Sequence, residues 1–283
     1  MKTFHFYILI GLLLLSCTKD VQLDLPTEDQ RLVIEGYVEL NKFPIVYLTK
    51  TKKYTDKINK ENITEYIASV AKVTVSNGIE SEVLTLKLNQ EIFPYYYFEC
   101  TSIKGEIGKE YTITVELNGE KFTSTTKLVE PVEISSYNFV ALENNADRNF
   151  IDLTFLDPVE DANFYRVYIQ RIGKDKVFTP CYLSTFNDLG FNGKEFSYQV
   201  IRNYSSSFQS DDERYFLKGD SVLIKFCTTD KVAFQYWKSL EGLIAVSANP
   251  FGLSSNAPLS SFNGDALGIW CGLSSKYYKI KIQ

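Results

Sequence analysis

The chain has 283 residues, 30 Lys and Arg against 35 Asp and Glu, and 45% hydrophobic residues, a balance that fits a folded protein of one or two domains. A net charge of −5 lacks the basic footprint of a phosphate-backbone binder, so no nucleic-acid partner is expected. The only histidine, His5, falls in a segment expected to be removed, which excludes Ser-His-Asp triads, Cys-His pairs and histidine-bound zinc from the mature chain.

Met1 and Lys2 give a short positive start to an apolar run, Phe4–Leu15. About twelve apolar residues are too few to span roughly 30 Å of hydrocarbon but match the core of a signal peptide. The run ends Leu14-Leu15-Ser16-Cys17, which resembles the bacterial lipobox. That resemblance implies a signal peptide over 1–16 and a lipidated cysteine at Cys17, whose acyl chains partner membrane lipid. Several chains anchor firmly, at about 0.8 kcal/mol per buried CH₂. The plainer alternative is a secretory signal with a chance cysteine. Residues 17–30 form a polar tether carrying Pro26. Within it, Lys19-Asp20 resembles the short acidic signals of Bacteroidota lipoproteins, favouring the cell-surface face of the outer membrane over the periplasmic face. A merely solvated tether is the other reading.

From residue 31 the hydrophobic pattern has period two. In Arg31–Leu40 the even positions Leu32, Ile34, Val38 and Leu40 are apolar, while Glu35 and Glu39 point the other way. Leu84/Leu86/Leu88 and Tyr111/Ile113/Val115/Leu117 repeat the alternation, and Asn118-Gly119 predicts a tight hairpin into a return strand, Lys121–Leu128. With segments near 44–50, 69–76 and 95–101, residues 31–130 read as an immunoglobulin-like β-sandwich. Val129–Glu133 interrupts the pattern and marks a boundary. Residues 131–283 read as a second β-sandwich-like domain, with strands at Ile151/Leu153/Phe155, Phe164–Arg171, Glu195–Arg202, Val222/Ile224/Phe226 and Tyr278/Ile280/Ile282. One short helix is predicted near 231–241, capped by Thr229 or Asp230, with Phe234, Trp237 and Leu240 on one face and Gly242 able to close it. The fold class is all-β.

Beyond the lipid-bearing cysteine, Cys100, Cys181, Cys227 and Cys271 remain. An oxidising compartment allows disulfides, and spacing selects none of the three full pairings. At most one bridge is expected, among the three cysteines of the second half, and Cys227 can equally be a buried free thiol. Without histidine a metal site would need paired cysteine spacing, which is absent, so neither metal nor cofactor is expected. Ser-x-x-Lys occurs at Ser69/Lys72 and Ser124/Lys127, but in strands an offset of three sends the two side chains to opposite faces. Asp157/Glu160/Asp161 and Asp211-Asp212-Glu213 could offer oxygen ligands to calcium, though neither has an ordered ligand loop and solvated turns explain both. The 19 Tyr and 20 Phe are mostly explained by core packing, and any exposed tyrosines favour binding over catalysis.

Asp157-Pro158, Phe164-Tyr165-Arg166, Gly219-Asp220, Tyr236-Trp237, Asn249-Pro250-Phe251, Asn256 and Asn263-Gly264-Asp265-Ala266-Leu267-Gly268 stand in an order that can be recognised. With the lipobox and Val33-Ile34-Glu35-Gly36, the chain resembles a family of Bacteroidota outer-membrane lipoproteins catalogued as a domain of unknown function. Members are typically encoded beside TonB-dependent receptors. Trp270-Cys271 departs from the expected pattern, where a more ordinary aromatic or small pair would follow Gly268. The resemblance implies a non-catalytic binding or accessory subunit of such a receptor system, without catalytic residues to carry over. Alternatives are a structural subunit of an outer-membrane assembly or adhesion complex, and a hydrolase acting through carboxylates alone. Most of these motif residues read equally as turn formers. If a site exists, the loop Asn249–Asn263 is longer than a connection needs, and Asn249, Phe251, Asn256, Asn263 and Asp265 are its candidate binding residues. Replacing the acylated thiol tests the anchor: Cys17→Ala is expected to abolish palmitate incorporation and move the protein out of the membrane fraction, read by radiolabelling and fractionation.

Overall fold

A computed structural model describes residues 30–52, 56–143, 145–202, 214–247 and 258–283. It is built of β-strands in three sheets, with one α-helix among the described residues. That helix is not long and apolar enough to cross a membrane.

The largest sheet has eight strands and runs through both halves of the chain. Its middle is formed by β1 (Leu32–Glu39) and β16 (Leu267–Lys281), which pair in parallel from Val33 opposite Leu267 to Glu39 opposite Leu273. On one side β2 (Ile45–Lys50), β6 (Tyr96–Glu99) and β5 (Thr85–Leu88) follow β1. On the other, β15 (Ser221–Thr229), β11 (Phe164–Arg171) and β12 (Thr179–Asn187) follow β16.

The alternation seen in the sequence decides which face is buried. Even positions of β1, Leu32, Ile34 and Val38, enter a core with Val46 and Leu48 of β2. The same core takes residues of β3 (Lys72–Ser76), β7 (Glu110–Leu117) and β8 (Glu120–Lys127), which with β4 (Ser81–Val83) form a four-stranded sheet. Asn118 and Gly119 join β7 to β8 with positive φ angles of 53° and 86°, as the predicted hairpin requires. Val222, Ile224, Phe226, Tyr165, Val167, Ile169 and Ile280 belong to a second core under the other half of the long sheet. A second four-stranded sheet closes it: β9 (Ile134–Leu142), β10 (Asn145–Leu156), β13 (Glu195–Val200) and β14 (Phe216–Leu217). The molecule is thus a β-sandwich in which one sheet backs two smaller ones. Leu128 lies in the first core and Val132 in the second, so the Val129–Glu133 segment passes from one core to the other.

Aromatic side chains fill the second core. Phe155 lies 4.9 Å from Tyr165 and 5.0 Å from Phe226, ring centre to ring centre, in tilted geometries that suit ring quadrupoles. Four cysteines, Cys100, Cys181, Cys227 and Cys271, are buried free thiols. The bridge allowed by composition is therefore not formed among them.

The sequence reading and the structure differ in places with physical causes. β9 has an almost wholly exposed pattern and β12 carries Pro180 and Leu183, the latter with φ of 50°, so neither shows clean alternation. The helix, α1 (Lys231–Ser247), passes through Gly242 instead of stopping there. A helical glycine costs about 1 kcal/mol, and the good helix formers Leu243, Ala245 and their neighbours carry the helix past it. Asp230 caps its start as predicted, accepting the Ala233 N–H at 2.8 Å.

Trp270, the anomalous residue of the motif, is wholly buried and explains its neighbours. It lies against Gly36 on the adjacent strand: a Cβ there would sit 2.6 Å from the indole. Its Nε1 donates to the Tyr111 carbonyl at 2.8 Å, tying the long sheet to β7. Gly268 has φ of +123°, and a Cβ there would fall 1.9 Å from the Ile34 carbonyl oxygen. Gly268→Ala is therefore expected to destabilise by about 2–4 kcal/mol in denaturant unfolding. Gly190→Ala, where nothing lies within 4 Å, should stay within about 0.5 kcal/mol of the parent.

Candidate functional site

Residues that point away from the cores form the opposite face of the long sheet. α1 covers part of it: Tyr236 and Trp237 pack on Cys227, Ile269, Cys271 and Leu273. Beyond the helix the face is open and concave. A groove of about 790 Å³ is lined by Glu35, Tyr37 and Glu39 of β1, Ile45, Tyr47 and Thr49 of β2, and Glu99 of β6. Tyr168, Lys225 and Leu273 continue its floor, while Phe43, Ile92, Phe93, Val177 and Phe178 reach it from flanking segments.

Its charges are organised. Glu39, 12% exposed, pairs with Lys225, also 12% exposed, at 2.6 Å and with Lys42 at 2.9 Å, and it accepts the Tyr277 hydroxyl. Burial works to raise the Glu39 carboxyl, but the Lys225 charge and the three donors outweigh it and hold the group below its ordinary 4.5. The Tyr37 hydroxyl donates to Glu35. Burial raises the phenols of Tyr37, Tyr277 and Tyr168, helped next by the Glu35 charge at Tyr37 and by the hydrogen bond to Glu39 at Tyr277, so all three rings stay neutral.

Cations and aromatic rings alternate toward the helix. Arg166 stacks 3.7 Å from the centre of the Trp237 ring and 5.0 Å from that of Tyr168. Lys225 lies 5.4 Å from Tyr168, and Tyr37 stacks parallel to Trp237 at 6.4 Å. Arg166 is buried, and its Nη1 donates to the Thr185 hydroxyl at 3.4 Å. Glu241 of α1 accepts that same hydroxyl at 2.8 Å and Ser184 at 2.6 Å. The helix is thereby locked to β12, and the aromatic wall of the groove is locked with it.

The sequence candidates are distributed differently. Asn249, Phe251 and Asn256 lie outside the described residues, as does Asp211-Asp212-Glu213. Asn263 is a fastening: its Oδ1 accepts the Thr123 N–H at 2.6 Å and its own N–H donates to the Thr123 carbonyl at 3.3 Å. Asp265 is exposed, and its carbonyl accepts Arg31 Nε at 2.8 Å. The structure does not bring these two to the groove. Asp157 is buried and accepts Tyr165 and the Gly193 N–H, while Glu160 and Asp161 edge a separate groove of about 630 Å³ with Lys127 and Lys231. Among the described residues no three His, Cys, Asp or Glu side chains could hold a metal ion. Glu82, held at about 2 despite the opposing pull of burial, spends its oxygens on Cys100, Thr101 and Ser102 and fastens a loop. The four thiols are all raised by burial, Cys100 to about 11 and Cys271 to about 12, which disfavours thiolate.

Sequence reasoning missed the groove because its residues come from six strands and three loops. One signal was present: the outward positions of β1 read Glu-x-Tyr-x-Glu, unusual for a face meant only for water.

Residues 18–269 match the family model described as Domain of unknown function (DUF4249), which is most of the chain. No curated protein matches it. Among solved structures, the crystal structure of bovine butyrophilin is similar at 10% identity, covering 74% of this chain and 95% of that chain, with a TM-score of 0.19.

Glu39→Gln tests the ion pair, since it strips two lysines of their counter-charge. A folded-state carboxyl held below 4.5 contributes stability that is complete above 4.5 and is lost as pH falls through the lower folded value. The variant should melt several degrees lower at pH 7, by about 2–4 °C per kcal/mol, and the gap to the parent should narrow below pH 4.5 in a calorimetric pH series.

Proposed function

We propose that the chain, which belongs to the DUF4249 family of domains of unknown function, is a lipid-anchored outer-membrane protein that binds without catalysing a reaction. In this reading it serves as an accessory subunit of a TonB-dependent receptor system, capturing a ligand or stabilising the receptor complex. The groove carries the proposal. It is concave, it sits on a sheet made rigid by two cores, and it presents tyrosine rings beside an ion pair that is already satisfied. Those are the features of a recognition surface, where rigid aromatics give contact area at little entropic cost. Support for the anchor comes from the lipobox-like Leu14-Leu15-Ser16-Cys17 and the polar tether after it. Support against chemistry comes from the histidine-free mature sequence and from thiols raised by burial.

Purification from gently solubilised native outer membrane, followed by mass spectrometry, tests the assignment. A TonB-dependent receptor at stoichiometric yield is the expected companion. Recovery with assembly-machinery subunits, or alone, overturns the accessory role.

A further inference from the structure

The charges of the groove are unevenly placed. Three carboxylates face two ammonium groups, and Glu39 takes both cations to itself. Among the described residues Glu35 and Glu99 have no cation within ion-pair distance. Among the same residues the Glu35 carboxylate accepts only the Tyr37 hydroxyl. Both carboxylates are half-buried, so they are partly desolvated and still reachable.

Register shows what lies between them. Tyr47 is directly opposite Glu35, and Ile45 is opposite Tyr37 on one side and Glu99 on the other. The two carboxylates therefore occupy the diagonal of a patch floored by Tyr47, Ile45 and Tyr37, two strand spacings across and two residues along, or roughly 12 Å between backbones. Tyr97 leans on Tyr47 at 6.1 Å and fixes its ring. An aromatic face flanked by anions is favourable for a positive group, since the ring quadrupole and the carboxylates attract it together. An anion would have to displace Glu39 from Lys225 and Lys42 to find a partner in the same groove.

Resting on the reading of the groove as a binding site, we infer that the Glu35–Tyr47–Glu99 patch is a subsite for an organic cation, an ammonium or guanidinium group carried by the ligand. Such a group lies over Tyr47 within reach of either carboxylate. The cation comes either from a free amine or from a basic side chain of a peptide.

NMR chemical-shift titration of the full mature chain, which reads affinities into the millimolar range, tests it with three probes: cadaverine, and Gly-Lys-Gly and Gly-Glu-Gly that are N-acetylated and C-amidated so that only the central side chain differs in charge. The lysine tripeptide should shift the amides of Glu35, Tyr47 and Glu99, and the glutamate tripeptide should not. Glu35→Gln, Glu99→Gln and Tyr47→Leu should each weaken binding by about tenfold with melting temperature unchanged, and added salt should weaken it further. Equal binding of cadaverine assigns the source to free amines, whereas binding of the tripeptide alone assigns it to peptides. Equal binding of the two tripeptides, an affinity untouched by the carboxylate variants, or no binding of either cation overturns the subsite. A neutral oligosaccharide panel run alongside separates the two levels. If such a probe shifts Tyr47 and loses affinity in Tyr47→Leu, the groove stands as a binding site and only the cation subsite falls. If nothing shifts the groove, both fall.

Discussion

The parallel pairing of β1 with β16 is the contact on which the other features depend, because it welds the first strand of the fold to the last. β16 is fifteen residues long, about 50 Å when extended, and its first half lies beside β1 while its second lies beside β15. Bringing together segments separated by nearly the whole chain costs about 3 kcal/mol more than closing a ten-residue loop. The pairing offsets that cost through close packing. The Trp270 indole occupies the space that a side chain at Gly36 would fill, and the Gly268 backbone lies against the Ile34 carbonyl. Trp270 then reaches across the sandwich to the Tyr111 carbonyl, so one side chain joins strand to strand and sheet to sheet. Glycine at 36 and 268 and tryptophan at 270 are thus one requirement met by three residues.

From that weld follows a sheet with unequal faces. Each smaller sheet covers half of the inner face, and the even positions of β1, β15 and β16 are consumed there. Among the described residues the outer face has only α1 to cover it. Seventeen helical residues are about 25 Å long, whereas eight strands span roughly 34 Å from first to last, so a single helix cannot shield the whole face. What remains open is the region of β1, β2 and β6, and there the outward residues are Glu35, Tyr37, Glu39, Tyr47 and Glu99. An antiparallel sheet can leave one face to water with ordinary polar residues. This face instead holds half-buried tyrosines and a fixed ion pair, which water alone does not require.

Much of the fold was legible because burial on one face writes itself as alternation. β1, β7, β8, β11 and β15 are readable as strands for this reason, and Asp230 is readable as a cap because its carboxylate is positioned to accept an early helical N–H. Alternation names the buried face, but not the strand that lies alongside. Nothing local in Val33-Ile34-Glu35-Gly36 indicates that Leu267–Trp270 will be its neighbour, and so the continuity of the long sheet could not be read. β9 escaped because it is an edge strand with most positions exposed and only Ile134 and Phe139 packed against the second core, a spacing with no period of two. The groove escaped for a further reason: beyond Glu35, Tyr37 and Glu39 of β1 and Ile45, Tyr47 and Thr49 of β2, its members are one to three residues from each of several segments far apart in sequence, which make no joint local pattern. Asn263, by contrast, stood out by the company of Gly264 and Asp265, and that conspicuous turn serves to pin the start of β16 onto β8.

The protonation states of the groove bear on what it is suited to do. A general acid or base works best with a pKa near the working pH, reached by moving a carboxyl up or a phenol or thiol down. Here the directions are reversed. Glu39 is pulled down by Lys225, Lys42 and Tyr277, and Tyr37, Tyr168 and Tyr277 are pushed up, chiefly by burial. Each of these groups keeps one charge state across the neutral range, so the electrostatic pattern is fixed before a ligand arrives. The walls are fixed as well, since Trp237 backs Tyr37, Arg166 backs Trp237, and the hydroxyl of Thr185 ties both Arg166 and Glu241 to β12. A surface of this kind spends little free energy on reorganisation, which leaves more of any contact energy for affinity and selectivity in the binding role proposed for it.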